Sequence, residues 1–271
     1  MKYIKGFFMA WSCFTQIPCP YNKWHEEYRY HMLNMLPLVG LFLAVIMNSL
    51  WFVLSIFVDN SVFLGAVLTA AYFFATGFIH LDGYMDCSDA VLSRASSQEK
   101  RRILKDSHVG AFAVIALVFM VLIFSASMNI FVQEFSMGRA ALLTIILMVS
   151  RQLAAYDIIN RRPMAASQYV AMESYKNHEY GLPGIIITVA AGIVCYVAFL
   201  LDFSQIMSLG NLYNLIYTAV AVSGMKLAAG ALGSSARKQL GGMNGDIAGY
   251  MIVAGELTGV GAVALMLGIG A

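Results

Sequence analysis

Long apolar stretches separated by short polar ones dominate this chain. A helix crossing a bilayer needs about 20 mostly apolar residues. Seven stretches approach or exceed that length: 35–58, 61–79, 110–132, 139–159, 183–201, 212–232 and 247–270. Only Asp59 and Asn60 separate the first two, which predicts a tight helical hairpin. The pattern gives an all-α fold, a polytopic transmembrane helical bundle of about seven spans, as a single integral membrane domain over residues 1–271. Ahead of it, Lys2 and Lys5 precede the apolar run from Gly6 to Trp11. That run is interrupted by Ser12, Cys13, Thr15 and Gln16 and then by Pro18 and Pro20. Such a segment predicts a retained N-terminal interfacial helix rather than a cleaved signal.

Composition supports lipid as the solvent. Hydrophobic residues make up 60% of the chain and charged residues 12%, against about 25% charged in a soluble domain. The formal net charge of +2 gives no ground for nucleic-acid binding. Where the charges sit matters more. With the N-terminus inside, fourteen Lys and Arg residues fall in the segments 1–34, 80–109, 160–182 (with Lys176) and 233–246. The outer segments hold only Arg139. This bias predicts a multi-pass protein of the cell membrane with those four segments in the cytoplasm. The four cysteines, Cys13, Cys19, Cys87 and Cys195, form no Cys-x-x-Cys pair and read as small apolar residues.

The chemistry gathers on that inner face. Asp82, Asp86 and Asp89 are spaced i, i+4, i+7, which places three carboxylates on one helical face. Carboxylates so close repel one another unless a cation joins them. Hard oxygen ligands beside a phosphate-bearing substrate suit Mg²⁺, so these three are the candidate metal ligands. Histidine ordinarily titrates near neutrality, which makes His80 a candidate base. Downstream, Ser97, Glu99, Ile103 and Leu104 predict a short surface helix. Its neighbours Arg94 and Lys105 are candidates for gripping an anionic substrate or lipid head groups. Asp106 and Ser107 add a carboxylate and a hydroxyl at the same level. Gly241, Gly242 and Gly245 open the last span, where close backbone approach and free N–H groups would favour phosphate. Asp246 is then either the helix N-cap or a further catalytic or metal-binding carboxylate. Arg151, Lys226 and Glu256 lie within spans, so they should face the bundle interior. Arg151 and Lys226 are candidate phosphate contacts, and Glu256 could pair with either.

Together these features suggest Mg²⁺-dependent phosphoryl or nucleotidyl transfer at a membrane surface. The run His80-Leu81-Asp82-Gly83, Asp86 and Asp89 resembles the cobalamin synthase family. So do Lys105-Asp106-Ser107 with Gly110, and Gly241-Gly242 with Gly245-Asp246. Phe14 with Ile17-Pro18 and Pro20, Pro37-Leu38 with Gly40, and Ser150-Arg151 extend the likeness over most of the chain. Ala90 stands where that family usually has Gly, and Asn244 where it usually has Thr. The resemblance implies an adenosylcobinamide-GDP ribazoletransferase. Its substrates would be adenosylcobinamide-GDP and α-ribazole or its 5′-phosphate. Its products would be the cobalamin (or its 5′-phosphate) and GMP, in the last step of nucleotide-loop assembly. It also implies Mg²⁺ on Asp82, Asp86 and Asp89. His80, Asp89 or Asp246 would serve as base. Arg94, Lys105, Asp106, Ser107, Arg151, Lys226 and the three glycines would lie around the phosphates. Self-association into a homo-oligomer is left open.

Three other readings fit less well. A CDP-alcohol phosphotransferase needs Ala-Arg where Asp86-Cys87 stands. An intramembrane aspartyl protease needs Gly-x-Gly-Asp, where this chain has Gly242, Gly245 and Asp246, and it leaves the aspartate triplet without a task. A cation or corrinoid transporter would place its polar groups near the midplane, whereas these carboxylates cluster at one face.

Overall fold

The computed structural model describes residues 1–165, 167–170, 181–200 and 209–269, with side chains described outside 195–212. Lys176 and the span ends at Leu201 and Gly270 lie outside these residues. Among the described residues the regular structure is helical, and the β pairing is one isolated bridge between Pro163 and Met243. The helices are α1 (Lys2–Phe14), α2 (Arg29–Asn34), α3 (Leu36–Ser55), α4 (Ser61–Ala75), α5 (Ile79–Leu92), α6 (Ser97–Ile103), α7 (Ala111–Phe131), α8 (Met137–Asn160), α9 (Leu182–Leu200), α10 (Leu209–Leu240) and α11 (Gly245–Ile269). This is a helical membrane bundle. Helix α11 is its axis, packed against α5, α7, α8 and α10. The buried seam is apolar, with Val39, Leu43, Trp51, Met120, Phe131, Leu147, Met225 and Val260 almost wholly enclosed.

The seven expected spans are recovered only in part among the described residues, since the one expected at 183–201 falls on α9, whose side chains are described only as far as Val194. Five described helices are long and apolar enough to cross a membrane, or six if α4 and α5 together make one broken span. Helix α4 stops early. Its 15 residues reach only about 22 Å at 1.5 Å per residue. Gly77 (φ +62°) and Phe78 (φ +60°) then take left-handed backbone conformations, and α5 leaves at 91° to α4. Hydropathy alone ran the span on to Ile79, because Phe78 and Ile79 are as apolar as what precedes them. The N-terminal segment braces this corner, where the Gln16 N–H donates to the Ala75 carbonyl at 2.9 Å. The other misjudged boundary is in α10. The expected inner loop from 233 is helical as far as Leu240, leaving only a short turn at 241–244.

Helix α1 packs on α2 and α3. At Gly6 a Cβ would lie 2.8 Å from the His31 backbone, so the two segments meet main chain to main chain.

Candidate active site

Helix α5 lies across the end of the bundle and carries Asp82, Asp86 and Asp89 through one unbroken helix, as their spacing requires. Two glycines let it meet α11 closely. A Cβ on Gly83 would fall 2.8 Å from the Asp246 carbonyl oxygen, and one on Gly249 would fall 3.0 Å from the His80 carbonyl oxygen. Small residues at a helix crossing bring backbones together in this way, and here they bring Asp246 to the aspartates of α5. A third glycine borders the far end, since a Cβ on Gly110 would overlap the Asp89 carboxylate.

The result is a layer of four carboxylates. Burial, and then the charges of Asp82, Asp246 and Asp89, push the Asp86 carboxyl up to about 6. None of the four makes an ion pair with a described residue. Nor do any three carboxylate, imidazole or thiol groups among the described residues enclose a metal by themselves. The expected three-aspartate cage is therefore not formed. The donor set still fits Mg²⁺. Its oxygens are hard and uncompensated, and Mg²⁺ commonly takes one or two protein carboxylates and completes its shell with water and phosphate oxygens. Asp82 and Asp86, one helical turn apart, are the pair best placed for this.

Two cavities adjoin Asp82. One, of about 440 Å³, lies between the end of α1 and the α4–α5 corner, bordered by Ser12, Thr15, Gln16, Thr76 and Gly77. The other, of about 150 Å³, lies beneath α5 and includes His80, Tyr169, Gly245 and Asp246.

The turn into α11 corrects two expectations. Gly241 and Gly242 do not offer free N–H groups. Both donate to the Arg237 carbonyl, at 2.9 and 3.1 Å, and so close the end of α10. The next N–H, of Met243, donates to the Arg162 carbonyl at 2.8 Å. Gly242 (φ +151°) must be glycine, since a Cβ there would lie 2.6 Å from the Met164 nitrogen. Asp246 is also not the cap of α11. Asn244 holds that role, its Oδ1 accepting from the Ile247 N–H at 3.0 Å while its Nδ2 donates to Asp246 Oδ2 at 2.6 Å. The asparagine that departs from the resembled pattern thus caps the helix and orients the carboxylate.

Other expected residues fall elsewhere. Arg151 is 0% exposed and belongs to the interior. It donates to Glu256 Oε1 at 2.7 Å and to the Tyr72 hydroxyl at 2.9 Å. Tyr72 and Ser150 in turn donate to Glu256 at 2.6 and 2.8 Å. A side chain so enclosed and engaged does not contact a phosphate. Lys226 lies on a third cavity, of about 390 Å³, with Asp157, Arg161 and Arg237, away from the carboxylates. His80 is buried and its ring nitrogens are enclosed. Burial, and then the Arg151 cation, push its imidazole down to about 3, which removes it as the base at neutral pH.

Arg94, Lys105, Asp106 and Ser107 are exposed. Asp106 turns to His108, accepting from its backbone N–H at 3.0 Å and meeting its ring at 2.7 Å. These contacts hold the Asp106 carboxyl below its usual range. The short surface helix is present as α6, with Ser96 as its cap. Lys100 pins α6 down, donating to the Val91 carbonyl at 2.9 Å and to Gln239. The sequence reading passed over Tyr169 at the second cavity. Phe14, which also borders it, was visible only as part of the N-terminal motif.

Fold and site together define a polytopic helical membrane protein with an anionic site at one end of its bundle that has no cationic partner among the described residues. The chain belongs to the cobalamin-5-phosphate synthase family, whose model matches residues 6–264. It is 33% identical over 268 residues to an adenosylcobinamide-GDP ribazoletransferase of Clostridium perfringens (strain SM101 / Type A), covering 98% of each chain. It is 31% identical to the enzyme of that name from Clostridium botulinum (strain Alaska E43 / Type E3), covering 94% of this chain and 95% of the other. With that of Lachnoclostridium phytofermentans the identity is 25%, covering 99% and 97%. No solved structure matches the chain.

Proposed function

We propose that this protein is an adenosylcobinamide-GDP ribazoletransferase, working at the cytoplasmic face of the cell membrane. The observation that carries the reading is the uncompensated carboxylate layer of Asp82, Asp86, Asp89 and Asp246, in a chain matched end to end by enzymes of that name. Four carboxylates with no cationic partner are stabilised when a divalent cation and its phosphate ligand join them.

Asp82 and Asp86 would hold Mg²⁺. When bound, the ion would neutralise charge on the diphosphate of the donor and on the leaving GMP. The polar cavity beside Asp82 is the place for that diphosphate, and Arg94 and Lys105 draw the anionic donor toward the face. The ribose 3′-hydroxyl of α-ribazole, which stays free in the 5′-phosphate as well, attacks the phosphorus on the cobinamide side. The bond from that phosphorus to GMP breaks, and a cobinamide–ribazole phosphodiester forms. Asp246, oriented by Asn244, accepts the hydroxyl proton.

The test is direct. Purified protein with Mg²⁺, adenosylcobinamide-GDP and α-ribazole is expected to release GMP and form adenosylcobalamin in equal amounts. Failure to form either product sinks the proposal. A normally folded Asp82→Asn variant that retains wild-type GMP release sinks the metal assignment.

A further inference from the structure

The cavity beneath α5 has a different character from the one beside the α4–α5 corner. Most of its wall is carbon, from Phe14, Leu36, Ala154, Ile158, Ala248 and Ile252. Its volume is about 150 Å³. Apolar cavities near this size hold benzene, and one this small excludes a corrin macrocycle. Asp82 and Asp246 border it, so whatever fills it reaches the carboxylate layer.

Besides the two carboxylates, the polar side chains on its wall are His80, Gln168 and Tyr169. His80 lies against the cavity, is 5% exposed, and has no hydrogen-bond partner at either ring nitrogen among the described residues. Buried polar atoms are nearly always paired, and an exception calls for a partner that is not part of the protein. The ring is also flat against its neighbour. The imidazole lies within 7° of parallel to Phe14, with centroids 5.9 Å apart. The two rings are stacked on each other, and a planar guest in the cavity would lie beside this flat pair.

We propose that this cavity receives the bicyclic heteroaromatic base of the acceptor nucleoside, with His80 hydrogen-bonding a ring nitrogen of that base. The inference rests on the ribazole-transfer reading. A benzimidazole-type base has a carbocyclic edge with nothing to hydrogen-bond and one ring nitrogen with a free lone pair. That inventory matches a mostly carbon wall on which His80 is the polar side chain left without a partner among the described residues. Guanine, the competing base, carries several donors and acceptors around its edge and matches a carbon wall poorly. With the base seated here, the ribose emerges beside Asp82 and Asp246, where its 3′-hydroxyl is needed. His80 is then a binding group for the acceptor rather than the base of the reaction.

Free benzimidazole, which lacks the ribose and cannot react, is the probe. Full-length protein in nanodiscs is expected to bind it in calorimetry. In steady-state assays it should compete with α-ribazole and not with adenosylcobinamide-GDP. His80→Phe keeps a flat ring and removes both nitrogens. It is expected to raise the KM for α-ribazole about tenfold, the worth of one hydrogen bond, with the KM for adenosylcobinamide-GDP unchanged. Ala248→Leu, on the facing helix, fills the slot and should abolish benzimidazole binding. Thermal unfolding confirms that both variants are folded. Absence of benzimidazole binding to wild type, or competition with adenosylcobinamide-GDP, overturns the inference even where wild type releases GMP. Absence of GMP release by wild type overturns the transfer reading instead, and calorimetry still decides whether the cavity takes the base.

Discussion

Arg151, Glu256, Tyr72 and Ser150 close on one another inside the bundle, while Asp82, Asp86, Asp89 and Asp246 face one another at its end with no described cation between them. The first group contains one positive and one negative charge, and both Glu256 oxygens accept hydrogen bonds from its neighbours. The second contains four negative charges and two adjoining cavities. Polar groups in apolar surroundings are costly in both places. The interior group offsets that cost within itself, and so holds α4, α8 and α11 together. The end group leaves it standing, and so favours a ligand. Charged residues near a membrane thus divide by whether their partners are already present.

The largest effect expected from breaking this contrast is on the closed group. Arg151→Met leaves Glu256 buried and unpaired, which should destabilise the bundle by about 3–5 kcal/mol. Unfolding followed in detergent reads this, and the Arg151→Met/Glu256→Met double variant should recover part of it. Next comes Asp86→Asn, expected to lower GMP release about 100-fold. Removing a like charge should leave its unfolding temperature equal to or above wild type in Mg²⁺-free buffer. Stripping divalent ions with a chelator should stop turnover of the wild type, and Mg²⁺ should restore it. A smaller loss follows from Gly110→Ala, whose added methyl must displace the Asp89 carboxylate. Misplacement on that scale costs about 10- to 100-fold in kcat. The smallest change is expected from Lys105→Ala, an exposed cation away from the carboxylates. Its KM for adenosylcobinamide-GDP should rise about two- to threefold at low salt and less at high salt, as screening dictates.

The same contrast explains what the sequence could reveal. The aspartate face of α5 was legible, because helical spacing alone puts Asp82, Asp86 and Asp89 together. The bundle was legible from hydropathy. The corner at Gly77 and Phe78 was not, since a left-handed phenylalanine looks no different in sequence from one that continues a helix. Glu256 was legible as a partner for Arg151 or Lys226, but the sequence could not choose between them or take Arg151 from the phosphate contacts, because Glu256 lies 105 residues from Arg151. Spacing arguments do not reach that far. Gly241 and Gly242 were read as a phosphate cradle because nothing local shows that Arg237 and Arg162 take the available N–H groups. Asn244 was noticed as a departure and proves to be the cap that places Asp246. His80 stood out in sequence as a candidate base, and only its burial and the cavity beside it carry the proposal that it binds the acceptor instead.

One pair of measurements tests the account most directly: GMP release with Mg²⁺ and both substrates, and thermal unfolding in Mg²⁺-free buffer, recorded side by side on wild type, Asp86→Asn and Arg151→Met. The account predicts that Asp86→Asn unfolds like wild type and releases almost no GMP, while Arg151→Met unfolds at a clearly lower temperature. Near-wild-type GMP release by folded Asp86→Asn would contradict it.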